Sequence, residues 1–238
     1  MSPAEPAATG NLSSGRLFEP EQFHVFAVEG FTRRMPLVRT RITPVLAGLA
    51  EPLCEPLAAV VEEPLFPHVA RHMRRTVNPP EATWVAFGRS PRAYKPWIHI
   101  RVGMALEGVR VSVFVEDDAE DKPRFAANLR RNAAPLARWF RERHEVLAFD
   151  FATANGFSTA AALGAAGLRR FADRLLRVKA QHASFGVVLS PERACALDTG
   201  TFIATVCDTC QTLLPLYRCG AADSYRFSAQ SGGSSDPD

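Results

Sequence analysis

The chain has 238 residues, 47% of them hydrophobic and 22% charged, with a net charge of +3. That is the make-up of an ordinary globular protein, long enough to bury a core of its own, and it excludes a chain whose global field would attract nucleic acid or an anionic membrane. Five cysteines (Cys54, Cys195, Cys207, Cys210, Cys219) are odd in number and too sparse for a disulfide framework, so reduced thiols and a cytoplasmic location are expected.

Residues 1–16 are rich in Ala, Pro, Ser and Gly and contain no apolar run of the secretory kind, so they read as a disordered N-terminal tail. Leu46, Leu49, Leu53 and Leu57 recur at helical spacing, interrupted by Pro52 and Pro56. Short, kinked helices are therefore expected from about Thr32 to Val61. Thr83 to Gly88 reads as a strand entered after the breaker Asn78-Pro79-Pro80.

From Trp97 the pattern switches to a period of two. Ile98, Ile100, Val102 and Met104 share one face and His99, Arg101 and Gly103 the other. After Glu107-Gly108, Val109, Val111, Val113 and Val115 alternate with Arg110, Ser112, Phe114 and Glu116. This predicts a hairpin over about 97–116 with one apolar and one polar face. A two-residue loop at Glu107-Gly108 would pair Leu106 with Val109 and set His99 opposite Glu116.

Further on, Phe125, Leu129, Leu136 and Phe140 mark a helix, Val146 to Phe149 a short strand, and Leu168, Phe171, Leu175 and Val178 another helix. A strand over Ser184 to Leu189 and a last helix through Phe202, Val206, Cys210, Leu213 and Tyr217 precede a disordered C-terminal tail, 221–238. The expected fold is a single α+β domain over 17–220, with a mainly antiparallel sheet and helices packed on its apolar face. No apolar stretch approaches the roughly 20 residues of a membrane span, so no membrane partner is expected.

The charge is unevenly spread. Between Pro67 and Arg101 stand seven Lys or Arg (Arg71, Arg74, Arg75, Arg89, Arg92, Lys95, Arg101) against one acid, Glu81. Forked guanidinium donors and a mobile ammonium suit phosphate and carboxylate oxygens, and Asn78 and Tyr94 add neutral polar groups. His68 and His72, four apart, would share one helix face as metal ligands do, with His99 as a third member and Glu116 beside it. The glutamate of a His-Glu-x-x-His motif is missing, because Val69 and Ala70 follow His68. His99 facing Glu116 has the pattern of a general acid/base pair, and equally of an ordinary cross-strand charge pair. Cys207-x-x-Cys210 lies on the apolar stripe of the last helix and reads as packing. Dinucleotide, P-loop and nucleophile-elbow fingerprints are absent, and the sequence leaves any cofactor unknown.

Phe23-His24-Val25-Phe26, Glu29-Gly30-Phe31, Arg34-Met35, Phe66-Pro67-His68-Val69-Ala70, Arg74-Arg75, Val77-Asn78-Pro79-Pro80, Trp84-Val85-Ala86-Phe87, Arg92 and Tyr94-Lys95 together resemble the YktB-like family of bacterial proteins, which is domain of unknown function 1054 and uncharacterised protein family 0637. The resemblance is dense from about Phe23 to Gly103. It implies a compact cytosolic α/β domain and transfers no catalytic residues. The chain departs from the family pattern in its long N-terminal tail, its Ala- and Gly-rich stretch near Phe157 to Gly167 and its cysteine-bearing last helix.

Three functions fit these residues. The first is binding, with or without turnover, of an anionic or phosphorylated small molecule through Arg74, Arg75, Asn78, Arg89, Arg92, Tyr94, Lys95 and Arg101, with His68, His72 and His99 as acid/base groups. The second is nucleic-acid binding by the same cations with Trp84, Tyr94 and Trp97 as stacking platforms. The third is a metal-dependent hydrolase using His68, His72 and His99.

Overall fold

The computed structural model describes residues 15–73, 76–149 and 157–228. The helical N-terminal part consists of α1 (Pro20–His24), α2 (Phe31–Leu37), a π-helical turn (Val38–Ile42), α3 (Thr43–Gly48) and α4 (Ala50–Val61). Val38, Ile42, Leu46, Leu49, Leu53 and Leu57 form one buried stripe through these pieces. The stripe survives the kinks because each break leaves helical spacing nearly intact. Pro36 and Pro56 sit inside α2 and α4, where each removes a backbone donor, so short segments replace one long helix.

Seven strands follow, β1 (Phe66–Val69), β2 (Ala82–Gly88), β3 (His99–Ala105), β4 (Gly108–Val115), β5 (Leu147–Phe149), β6 (Phe157–Thr159) and β7 (Ala183–Leu189). They form one sheet in the order β1-β2-β3-β4-β7-β5-β6, and the pairings are antiparallel. Between and after them come α5 (Lys122–Arg131), α6 (Ala133–Arg141), α7 (Ala160–Arg177), α8 (Pro191–Ala196) and α9 (Thr199–Ala221). The predicted α+β class holds.

Helices cover the apolar face of the sheet. Phe125 of α5, Phe140 of α6 and Phe171 of α7 set their rings 6.4, 6.0 and 5.9 Å from Phe185 of β7. Phe185 lies on the same face as Val113 and Ile100. Gly220 of α9 rests on Ile98, where an added Cβ would stand 2.8 Å from the isoleucine side chain. Among the described residues no single helix is long and apolar enough to cross a membrane.

Three expectations need correction. The hairpin turns at Leu106-Glu107, not Glu107-Gly108, because Ala105 pairs with Gly108. Gly108 belongs to the ladder: it takes φ +133°, and a Cβ there would lie 2.0 Å from the Leu189 carbonyl oxygen of the neighbouring strand. The register therefore shifts by two residues, which keeps every side chain on its predicted face but sets His99 opposite Phe114 rather than Glu116. Secondly, His68 and His72 share no helix. His68 lies in the edge strand β1, where Pro67 is tolerated, and His72 sits in the following loop at φ 49°.

Thirdly, residues 222–228 run beside α5, although the sequence places them in a disordered tail. Two buried asparagines, Asn128 and Asn132, one helical turn apart, hold this strap through its backbone. Asn128 Nδ2 donates to the Ala222 carbonyl at 2.8 Å and Oδ1 accepts from Tyr225 N–H at 3.2 Å. Asn132 Nδ2 donates to the Tyr225 carbonyl and Oδ1 accepts from Phe227 N–H, both at 2.8 Å. Each such bond is worth about 1 kcal/mol net, and buried amides left without partners cost more. A chain ended after Ala221 is therefore expected to lose about 2 to 4 kcal/mol of unfolding free energy in urea relative to one ended after Ser228. Equal midpoints would mean that the strap contributes nothing to the fold.

Candidate functional site

The second face of the hairpin carries the polar residues expected there, yet β3 is buried along its whole length. Arg101 is the centre of this face, only 8% exposed. Its guanidinium carbon lies 3.4 Å from the ring centre of Phe114, 4.4 Å from that of Trp84 and 5.8 Å from that of Tyr94. A cation held between aromatic faces is attracted by their quadrupoles, and desolvation strengthens the effect. Nη2 donates to Glu116 Oε1 across a very short contact, and Nε donates to His99 Nε2 at 2.9 Å.

Small residues make room for this stack. Ser112 is the cross-strand partner of Arg101, and Gly103 lies beside Trp84, whose Cβ would be 3.2 Å from an added Cβ. Gly88 does the same beneath Tyr94, at 2.8 Å. Tyr94 accepts a hydrogen bond from Trp84 Nε1 at 3.3 Å and sets its ring edge-on, 4.8 Å from His99. His182 stacks on Phe114 at 5.1 Å from beyond β7.

His99 is fully buried and both of its ring nitrogens are engaged. The Trp97 carbonyl, 2.8 Å away, can only accept, so Nδ1 carries the hydrogen and Nε2 offers its lone pair to Arg101. Burial and the neighbouring Arg101 charge hold this imidazole well below its ordinary pKa, and the charges of His68 and Lys95 act in the same direction. The Arg101 guanidinium is also lowered by burial, against which the Glu116 carboxylate works.

The other residues predicted for the site are scattered around this centre. His68 Nε2 donates to the Ser90 carbonyl at 2.8 Å, and its ring lies 5.4 Å from Tyr94. His72 meets Thr83 Oγ1 at 3.0 Å and sets its ring edge-on to Trp84. Arg71, Asn78, Arg92 and Lys95 are exposed, and Trp97 is half-buried. Arg89 turns away towards Asp121 (3.6 Å) and Glu63 (3.9 Å), so carboxylates from two other elements neutralise it. Arg74 and Arg75 fall outside the described residues.

This geometry bears on the alternatives. Trp84 and Tyr94 spend their rings on Arg101, His72, His68 and His99, so neither offers a free platform to a nucleic-acid base. Among the described residues no group of three His, Cys, Asp or Glu side chains is placed to hold a metal ion, and the three histidines are each bonded elsewhere. Cys207 and Cys210 are free thiols that burial pushes above the usual range, as packing residues would be. Phe114 and His182 escaped the sequence reading. An aromatic among Arg110, Ser112 and Glu116 on the polar side of a strand was the available signal for the first.

With the geometry in place, comparison with known proteins adds ancestry. The sequence profile of the family described as "Domain of unknown function (DUF1054)" matches residues 18–217. The chain belongs to the DUF1054 family. Similar DUF1054-type relatives include the "UPF0637 protein" of Macrococcus caseolyticus (strain JCSC5402), 33% identical over 207 residues, which are 84% of this chain and 97% of the relative. UPF0637 proteins of Bacillus mycoides (strain KBAB4) and Bacillus cereus (strain B4264) are 33% and 32% identical over 206 residues, 84% of this chain and 95% of each relative. The DUF1054 match takes in the whole Arg101 cluster and ends before the strap.

The neutral imidazole has a measurable consequence. Unfolded, His99 takes up a proton near pH 6.5; folded, it does so only at much lower pH. Its contribution to stability is therefore fully present above about pH 6.5 and is lost as pH falls below that value, by up to about 1.4 kcal/mol per pH unit. Urea midpoints recorded from pH 7.5 down to 5 should show this fall in the parent, and a His99→Gln variant should show a shallower one. Parallel profiles would mean that the imidazole is not held neutral.

Proposed function

We propose that the protein binds a small anionic ligand, a phosphorylated metabolite above all, at the rim of the sheet face built around Arg101. The observation that carries this reading is the pre-set guanidinium itself. It is gripped between Trp84 and Phe114 and tied at Nε to a neutral imidazole and at Nη2 to Glu116, so its orientation is fixed before any ligand arrives.

Lys95 and Arg92 support it from outside. Both are exposed on the segment joining β2 to β3, and among the described residues neither pairs with a carboxylate, nor does Arg71. Unneutralised cations at a rim raise the local concentration of anions, and guanidinium forks match phosphate oxygens. Asn78, exposed in the same run of sequence, offers a further neutral donor, and Arg74 and Arg75 of that run remain sequence candidates outside the described residues. His68 and Tyr94, whose rings lie 5.4 Å apart beside this centre, serve as hydrogen-bonding groups for the ligand.

A ligand bound only by the folded state, at a hundredfold excess over its dissociation constant, stabilises it by about 2.7 kcal/mol. For a chain of this size that is about 5 to 10 °C in the unfolding midpoint. Phosphate or a phosphorylated metabolite from a screened panel should produce such a rise, chloride at matched ionic strength should not, and the double variant Arg92→Ala, Lys95→Ala should abolish it. A panel without any anion-specific rise, or a rise indifferent to the double variant, would refute the reading.

A further inference from the structure

The last turn of α6, the second half of α9 and the strap enclose a cavity of about 400 Å³ on the far side of the helical layer from the sheet. Its charged lining is Arg143, Arg218 and Arg226 against the single carboxylate Glu142. These arginines come from three different parts of the chain, and none belongs to the basic run at 67–101. Arg124, by contrast, is matched by the fully buried carboxylate of Asp121. Here the matching is weak. Arg143 meets Glu142 at 3.5 Å and Arg218 meets Glu62 at 3.3 Å, both carboxylates about three-quarters exposed, and Arg226 pairs with no carboxylate among the described residues. Exposed pairs of that kind contribute little and yield readily to a better-placed anion.

The remainder of the lining suits an organic body. Arg143 lies 4.8 Å over the Trp139 ring, Trp139 meets Phe227 edge-on at 6.0 Å, and Leu214 and Tyr225 continue the apolar wall, with Gln211 as a neutral donor and acceptor. The volume lies within the range of small-molecule sites. We infer that this groove is a second anion site, taking the phosphate monoester of a small metabolite, with the phosphoryl group among Arg143, Arg218 and Arg226 and the carbon skeleton against Trp139 and Tyr225. The inference is independent of the sheet-face reading, since the two share no residue.

The strap makes the site readable. Arg226 is carried by the segment that Asn128 and Asn132 hold, so a ligand bridging Arg226 to α6 and α9 ties that segment down. Opening of the strap, reported by hydrogen exchange at Tyr225 and Phe227 N–H, should slow about tenfold when ligand stands at ten times its dissociation constant. The test titrates the full chain with glucose 6-phosphate and with inorganic phosphate, against chloride at matched ionic strength. The expected result is added protection at these two amides with the ester. Arg226→Ala or Arg143→Ala, with an unchanged urea midpoint, should abolish it, whereas the Arg92→Ala, Lys95→Ala variant should retain it. Protection that never exceeds that given by chloride, or that persists in Arg226→Ala, would overturn the inference. Failure of both phosphate probes while an acidic peptide protects the strap would overturn it in favour of a protein partner.

Discussion

A guanidinium in the middle of a sheet has to be surrounded by groups that replace water, and the second face of this sheet is organised by that requirement. Stripping Arg101 of solvent costs several kcal/mol unless charge and hydrogen bonds are restored. Glu116 restores the charge, His99 accepts from Nε, and Trp84 and Phe114 supply the π faces. His99 can accept only while neutral, the state that burial and the Arg101 charge favour, and its Nδ1–H, donated to the Trp97 carbonyl, fixes the tautomer that leaves Nε2 to accept. Gly103, Ser112 and Gly88 are small because the side chains beside them lie flat on the sheet. Sequence choices at six or seven positions thus answer to one buried cation.

Much of the fold was legible because periodicity tolerates local error. Ile98 to Met104 and Val109 to Val115 alternate so regularly that the hairpin and its buried face can be read, and a two-residue slip leaves that face unchanged. Which residue begins the turn is a different matter. Glu107-Gly108 has the look of a loop, whereas Gly108 is needed in the ladder because the Leu189 backbone leaves no space for a Cβ. The edge strand β1 was hidden for a related reason: four residues with a proline carry no alternation, and histidines four apart imitate a helix.

The residues around Arg101 were legible as ingredients and not in their pairing. Counting cations between Pro67 and Arg101 finds the basic stretch that contains Arg101, but Arg89 is neutralised by Glu63 and Asp121, some 26 and 32 positions away in the chain, and no local pattern reports that. Arg101 is buried for the same kind of reason, through Phe114 on β4 and Glu116 just after it. The strap shows the converse: a segment without hydrophobic period can still be ordered when a helix offers its backbone a row of amides, as Asn128 and Asn132 do. Two asparagines one turn apart on the buried side of an amphipathic helix are a readable hint of such a contact, because a buried amide needs partners.

The histidines decide what sort of site this is. A general acid or base needs an accessible nitrogen and a pKa near the working pH. His99 has neither, with both nitrogens engaged and its pKa held low. His68 and His72 direct their Nε2 atoms at Ser90 and Thr83 rather than at a common point. The proposed anion site takes direction from Arg101 and positive potential from the exposed Arg92 and Lys95. Arg101 is fixed inside by neutral and acidic partners, whereas Arg92 and Lys95 are exposed and pair with no carboxylate among the described residues. The β2–β3 connection joins the two: it carries the exposed pair and delivers the chain, through Tyr94 and Trp97, onto the imidazole that orients Arg101.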